Sequence, residues 1–465
     1  MQEDAKVVSL SECDNCSLSI GKSADFHDAG LSKTADALTT RHSSTSQTAK
    51  APAPRKSFSD ADVVAAIDAL PKLLGEKKLC QHCLGRLFGK VGTGMSNLQR
   101  AAEIKRCIWL ETVPVLDCWL CAGLFDEVDK FADIIIEEIG GYEYKTYLVG
   151  SLIDEELQAR EEQIWGETGT VAFAEAIKSE INREVGKALW EKTGKNADFN
   201  NPDIVGVIDT RFDSVTLDVR SLFVYGRYKK YSRGIPQTRW ICVRCQGKGC
   251  EHCNGKGKMY DKSVQEYIGD VALKTAKGVD HAMHGCGRED IDARMLGSGR
   301  PFVIEVTKPL VRSIDLEELQ KQVNESAKGI VEIDGLRFSD KNEVIRIKGA
   351  KPEKTYIAEV AFDKGVEEAK LKLALTGLQG CIINQQTPTR VAHRRADLDR
   401  KRNVIRAELK SFESAKAVIE IEAESGTYIK ELVSGDNGRT KPNLSELLGV
   451  QSRVTALDVI CIDEP

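Results

Sequence analysis

The chain has 465 residues, and its 66 Lys and Arg against 71 Asp and Glu give a formal charge of -5, so it is not a uniformly basic nucleic-acid coat. At roughly 100 to 200 residues per domain the length suggests about two to four domains. No apolar run approaches the roughly 18 residues of a membrane-spanning helix, so no membrane association is expected.

Residues 1 to about 56 are rich in Ser, Thr, Ala and Lys and lack periodicity, and they are expected to form a disordered extension. The early Glu3 and Asp4 and the missing basic-then-apolar leader suggest the cytosol or nucleus. From Ser59 the apolar spacing predicts a capped helix that Pro71 should stop or kink. A second helix is expected from Asn97 to about Glu111. Residues 125–162 carry twelve acidic and three basic side chains. Helices around 170–193 lead into extended segments at 204–208 and through Val215, Leu217 and Val219.

The charge then reverses, because residues 226–258 hold nine basic side chains and one acidic one. Beyond this run the pattern predicts a helix at 263–277, strands at 302–307, 331–338, 343–348 and 355–362, and a helix near 366–375. Strands near 380–386, 417–423 and 454–462 follow, with short helices at 429–434 and 443–449. Residues 390–410 form a second basic run, with eight basic and three acidic side chains, and could be a charged surface helix. The short spacings between strands predict an α+β fold, with a mixed, largely antiparallel catalytic domain after an α/β accessory domain. The expected boundaries are 57–225 for the accessory domain, 226–260 for a basic linker and 261–465 for the catalytic domain.

Ten of the 14 cysteines fall in C-x-x-C pairs. Two such pairs close a tetrahedral four-thiolate site for a structural zinc ion, and no other cofactor is expected. Cys80 and Cys83 are matched with Cys118 and Cys121, and Cys242 and Cys245 with Cys250 and Cys253. Cys13 and Cys16 have no partner pair and are read as unstructured thiols. No dinucleotide-type glycine fingerprint after a strand and no P-loop occurs, which argues against nucleotide-dependent chemistry. The string CVRCQGKGCEHCNGKG is similar to the cysteine repeats of DnaJ-type cochaperones, but no J domain accompanies it.

Six blocks carry a stronger resemblance: RYKKYSRGIPQTRW (227–240), CVRCQGKGCEHCNGKGKMY (242–260), GREDIDARMLGSGRPF (287–302), KTYIAEV (354–360), QQTPTRVAHRRADLDR (385–400) and ESGTYIKELVSGDNGRTKPNLSELLGV (424–450). In this order they resemble the archaeal-type tRNA pseudouridine synthases of the tenth pseudouridine synthase family. CQHCLGRLFG and CWLCAGLF resemble that family's zinc-binding, THUMP-type accessory region. The resemblance implies a pseudouridine-synthase catalytic domain acting on the TΨC loop of tRNA, at position 55 and in some members 54, with no catalytic cofactor. It implies Asp290 as the catalytic carboxylate, with Asp292 as a close alternative, Lys430 as its cationic partner and Tyr356 as the base platform. The chemistry agrees, since a dry pocket needs a cation to keep a carboxylate ionised.

Arg288, Arg294, Tyr428, Arg227, Lys230, Arg233, Arg390, Arg394 and Arg395 are the expected RNA contacts, although Tyr428 could be packing. Leu432 and Leu448 could line the pocket or the core. Segregated charge makes RNA binding compatible with an acidic chain, because phosphate neutralisation is local. A non-catalytic zinc-ribbon RNA-binding protein is the competing reading. The sequence leaves the oligomeric state open.

Overall fold

The computed structural model describes residues 56–394 and 396–463. All but the last residue of the expected 1–56 extension, and with it the Cys13/Cys16 pair, lie outside them. The chain is a mixed α+β protein with two sheets. No helix among the described residues is long and apolar enough to cross a membrane.

The smaller sheet orders Asn196–Ala197, Thr146–Leu152, Ile204–Asp209 and Ser214–Val219, with parallel pairing on both sides of Thr146–Leu152 and an antiparallel last pair. Helices Val128–Ile139 and Ile177–Thr193 bury Phe131, Ile135, Ile181 and Val185 in the core of this region. The same core contains Cys80, Cys83, Cys118 and Cys121. Helix Ala61–Leu74 runs through Pro71, contrary to the expected stop. Proline in a helix interior removes one backbone donor, and here it lies in the last turn between the buried Leu70 and Leu74.

The larger sheet has ten strands. Thr440–Lys441, Cys381–Gln386, Asp399–Glu413, Lys416–Ala423, Lys354–Phe362 and Ser452–Ile462 run in that spatial order, each antiparallel to the next where registered. Arg294–Thr307, Leu222–Lys230 and Val331–Ser339 continue it, and Asp280–Gly285 pairs with Arg294–Thr307. One parallel contact joins the two halves, with Asp458 opposite Arg294 and Val459 opposite Met295. Strand alternation splits the burial: Val224, Tyr228, Phe302 and Ile304 face the main core, and Phe223, Tyr225 and Val303 face a smaller one under helix Lys341–Gly349. Leu432 and Leu448 are fully buried in the main core.

One expected strand is corrected here. Residues 343–348 are helical rather than extended, since Asp340 accepts from the Glu343 amide and Val344 and Ile347, three apart, are the buried side chains. The second basic run enters the strand Asp399–Glu413, so the alternative of a surface helix does not hold there. Strand Leu222–Lys230 pairs within the large sheet, and the loop after it begins at Tyr231.

The accessory region is tied to the large domain through the 310–313 segment. Glu143 accepts from the Arg312 and Ser313 amides, and the Arg312 guanidinium reaches the Asp203 carbonyl.

Gly297, with φ of +55°, lies against the strand that carries the parallel contact: a Cβ there would fall 1.8 Å from the Ile460 carbonyl oxygen. Gly297→Ala is expected to destabilise the protein by about 2–4 kcal/mol, combining left-handed strain with overpacking. Denaturant unfolding measures this, and an unchanged midpoint would contradict it.

Candidate active site and metal centres

Residues 286–293 connect Asp280–Gly285 to Arg294–Thr307 and carry three carboxylates to the junction of the two half-sheets. The loop rests on a buried ionic pedestal. Glu289 is buried; Arg300 Nε lies 3.0 Å from its Oε2, and the Tyr228 hydroxyl donates to both carboxylate oxygens at 2.9 and 2.8 Å. Gln237 donates in turn to the Tyr228 oxygen and to the Gly287 carbonyl. Burial opposes ionisation of Glu289, but Arg300 and Lys230 outweigh it and hold its carboxyl below the usual range. The Lys230 ammonium donates to the carbonyls of Ile235, Asp290 and Ile291 at 3.1 to 3.3 Å. Breaking such a buried pair from one side typically costs about 3–5 kcal/mol.

Above this pedestal a cavity of about 150 Å³ is lined by Asp290, Arg288, Tyr356, Arg390, Tyr428 and Lys430, among others. Arg390 Nη1 lies 3.0 Å from Asp290 Oδ2, and Lys430 Nζ lies 3.6 Å from the same oxygen. Lys430 sits closer to Asp292, donating to both of its oxygens at 2.8 and 2.7 Å. Lys430 therefore spans the two aspartates, and Arg390 is the nearer cation of Asp290. Asp292 does not line the cavity, and its side chain is 67% exposed against 30% for Asp290. Partial burial opposes ionisation of Asp292, but Lys430 outweighs it.

The surrounding elements fix these side chains. Arg390, in the 3-10 turn Thr389–Arg394, is held by Glu431 at 2.7 Å. Lys430 follows the Gly426–Tyr428 turn, whose Tyr428 amide and carbonyl both bond the buried Gln385 side chain. Tyr356 projects from Lys354–Phe362 into the cavity and is buried. Burial pushes its hydroxyl up to about 12, with Arg300 opposing and the Asp290 charge adding to the shift. Arg288 lies over the Trp240 ring, 5.1 Å from its centroid.

The structure brings Asp290, Lys430, Tyr356, Arg288, Arg390 and Tyr428 together, and bonds four other expected RNA contacts within the protein. Lys230 is fully buried under the loop. Arg233 donates to the Asp292 and Leu457 carbonyls and to Asp458. Arg294 forks onto the same Asp458 carboxylate. Arg227 donates to the carbonyls of Ser298, Gly299 and Ile462. In each case donors that could neutralise phosphate instead satisfy internal oxygens. The side chain of Arg394 and all of Arg395 lie outside the described structure. Sequence reasoning missed Glu289 as the pedestal anion, Arg390 as the nearest cation of Asp290, and Lys354; two of the three signals were visible in the RED and KTY strings.

Each expected cysteine quartet is assembled. The four sulfurs of Cys80, Cys83, Cys118 and Cys121 lie within 4.8 Å of one another, as do those of Cys242, Cys245, Cys250 and Cys253. Four thiolates held at about 2.3 Å from a central ion in a tetrahedron sit about 3.8 Å apart. Cys80–Cys121, Cys242–Cys250, Cys245–Cys253 and Cys250–Cys253 show separations of 3.8 Å. Backbone amides of Cys80, Gly249 and Gly257 point at Cys118, Cys245 and Cys253 sulfurs, the pattern that stabilises thiolate charge. Positive φ at Gly247, Gly249, Gly255 and Gly257 lets the second knuckle close within so short a span. Both quartets could therefore hold a metal ion.

Comparison with known proteins agrees with this architecture. The family model "Pus10, C-terminal" matches residues 223–463, and "Pus10 THUMP domain, archaeal" matches 131–209. A protein of Methanothrix thermoacetophila named tRNA pseudouridine synthase Pus10 is 42% identical over 85% of this chain and 94% of its own length. Proteins of the same name from Halorubrum lacusprofundi and Archaeoglobus fulgidus are 42% and 44% identical, covering 86% and 76% of this chain and 97% and 96% of their own. Among solved structures, a Cbf5-Nop10-Gar1 complex aligns distantly, over 42% of this chain and 44% of that one at 18% identity and a TM-score of 0.27. With the large sheet and the four-stranded accessory region both matched, the chain belongs to the Pus10 family of pseudouridine synthases.

Proposed function

We propose that this chain isomerises uridine to pseudouridine in the TΨC loop of tRNA, at position 55, with Asp290 as the reacting carboxylate. The observation that carries this reading is the cavity placing Asp290 between Arg390 and Lys430, with Tyr356 on the same wall set. Chemistry on a base inside a duplex or folded loop requires the nucleotide to be flipped out, and a buried aromatic side chain suits the stacking of a displaced base. Arg390 and Lys430 offset the cost of keeping the Asp290 carboxylate charged as the pocket loses water.

The reaction balances without a cofactor. Asp290 attacks C1′ as the C1′–N1 bond breaks, and the bonding pair goes to the uracil. The base turns, C5 attacks C1′, and the carboxylate leaves with its electron pair. The C5 proton is lost and N1 gains one. Lys230, Glu289 and Arg300 hold the Asp290 backbone for this sequence of steps.

Zinc suits the all-thiolate quartets and would serve structure only. The first quartet would brace the THUMP-type accessory domain, and the second the knuckle next to Trp240. The cytosol or nucleus keeps such thiols reduced. RNA would lie along the exposed basic residues that remain, including Arg244 on the knuckle and Lys401 on the long strand.

Wild-type protein with an unmodified tRNA transcript should yield pseudouridine at the TΨC positions, and Asp290→Ala none; product from both, or from neither, would defeat the assignment. Metal analysis should find near two zinc ions per chain, falling to near one in Cys80→Ser, whose unfolding midpoint should drop; zero in the wild type refutes the zinc reading. Arg244→Glu and Lys401→Glu should each reduce the slope of log K against log salt for tRNA by about one, and an unaltered slope would remove these residues from the RNA path.

A further inference from the structure

Lys354 opens the strand Lys354–Phe362 two residues before Tyr356, and strand alternation sends both side chains to one face. Both line the cavity that holds Asp290. The Lys354 side chain is nearly sealed, at 8% exposure. Among the described residues, its ammonium makes no hydrogen bond and no ion pair, and the residue borders the cavity. Other buried cations of the chain are treated differently. Lys230 meets three carbonyls, Arg300 meets Glu289 and the Cys286 carbonyl, and Arg86 meets Glu161 and Glu180.

The neighbours of Lys354 make the arrangement harder to keep. A Cβ on Gly287 would lie 3.0 Å from Lys354 Nζ and 3.2 Å from Arg300 Nη1, so both cationic tips crowd one spot beside the Asp290 loop. Desolvation and Arg300 lower the amine to about 8, against weaker support from Cys286 and Glu289. A buried ammonium with no acceptor destabilises the folded protein. A buried polar group left without a partner in a folded protein calls for an explanation, and a catalytic role is one.

We infer that Lys354 touches the flipped-out uridine, donating from its ammonium to a carbonyl oxygen of the uracil and stabilising the negative charge the base acquires as C1′–N1 breaks. This rests on the pseudouridine synthase reading above. The electron pair released at N1 spreads onto the uracil carbonyl oxygens, and a donor placed where that charge develops favours the transition state over the bound substrate. The proton stays on Lys354 throughout, so nothing further is consumed or formed.

Single-turnover conversion of an unmodified tRNA transcript separates the possibilities, using wild type, Lys354→Met, Lys354→Arg and Asp290→Ala. Failure of the wild type to form pseudouridine would sink the activity reading and leave Lys354 without a substrate. With an active wild type, Lys354→Met should bind tRNA as before and react about 10²-fold more slowly, the loss typical of one removed oxyanion donor. Its unfolding midpoint should be unchanged or higher, because a desolvated charge is gone. Lys354→Arg should recover part of the rate. Wild-type kcat/KM, which reports the free enzyme, should fall as pH rises through about 8, and Lys354→Met should lack that limb. An unchanged rate in Lys354→Met overturns the inference. So does weaker tRNA binding at an unchanged rate, which would mark a phosphate contact. A lowered unfolding midpoint overturns it as well, since that would make Lys354 a structural residue.

Discussion

The shared Asp458 carboxylate ties the two halves of the large sheet together beside the cavity. Two antiparallel half-sheets meet at a parallel contact of two residue pairs, too short to be secured by its own ladder. Arg294 on one half and Arg233 on the loop after Leu222–Lys230 both donate to Asp458 on the other, while Arg233 also reaches the Asp292 and Leu457 carbonyls. Burial opposes ionisation of Asp458, yet the two guanidiniums outweigh it and keep its carboxyl below the usual range. The cavity opens where the half-sheets join, so Asp290 from one half faces Tyr356, Arg390 and Lys430 from the other.

A second set of charges works in the vertical direction. Glu289, Arg300, Lys230 and Tyr228 form a buried network below the loop, and Asp290, Asp292, Arg390 and Lys430 form a partly exposed one above it. Adjacent residues of one loop thus have opposite fates. Glu289 is fully partnered and structural, whereas Asp290 retains an open side toward the cavity. Satisfied buried networks rigidify what they hold, so the loop that presents Asp290 to the cavity is fixed from below. Lys354 bonds in neither network, although its ammonium crowds the Arg300 guanidinium of the lower one.

Charge in this family member is distributed by task rather than by sign. The basic run at 226–258 looks like one RNA-binding stretch in the sequence, but its first four cations are bonded within the protein or paired at its surface. Strand Leu222–Lys230 carries three of them into the sheet. The exposed basic residues begin later, on the cysteine knuckle. The acidic segment 125–162 is likewise ordinary secondary structure, two helices around a strand with their apolar faces inward.

Local signals in the sequence were sufficient wherever the chemistry is local. The C-x-x-C spacing places two thiolates in one turn, so both quartets could be matched before the fold was known. The resemblance carried by the RED, KTY and GTYIK strings pointed to Asp290, Tyr356 and Lys430, three side chains that line one cavity in the fold. Elements with clean periodicity, such as helix Val264–Ala276 with its Ser263–Glu266 capping box, were equally legible. Partner choice was not. Whether an arginine meets phosphate, a carbonyl or Asp458 depends on residues more than 160 positions away, as the Arg294–Asp458 and Arg233–Asp458 pairs show. The strand pattern at 343–348 gave way to a helix for a similar reason, since the cap at Asp340 and packing against Phe223 and Val303 decided it. Residue type and spacing therefore determined which chemistry the chain could perform. Only tertiary packing decided which charges are buried and satisfied and which are left facing the cavity, because desolvation and long-range pairing are properties of the assembled fold.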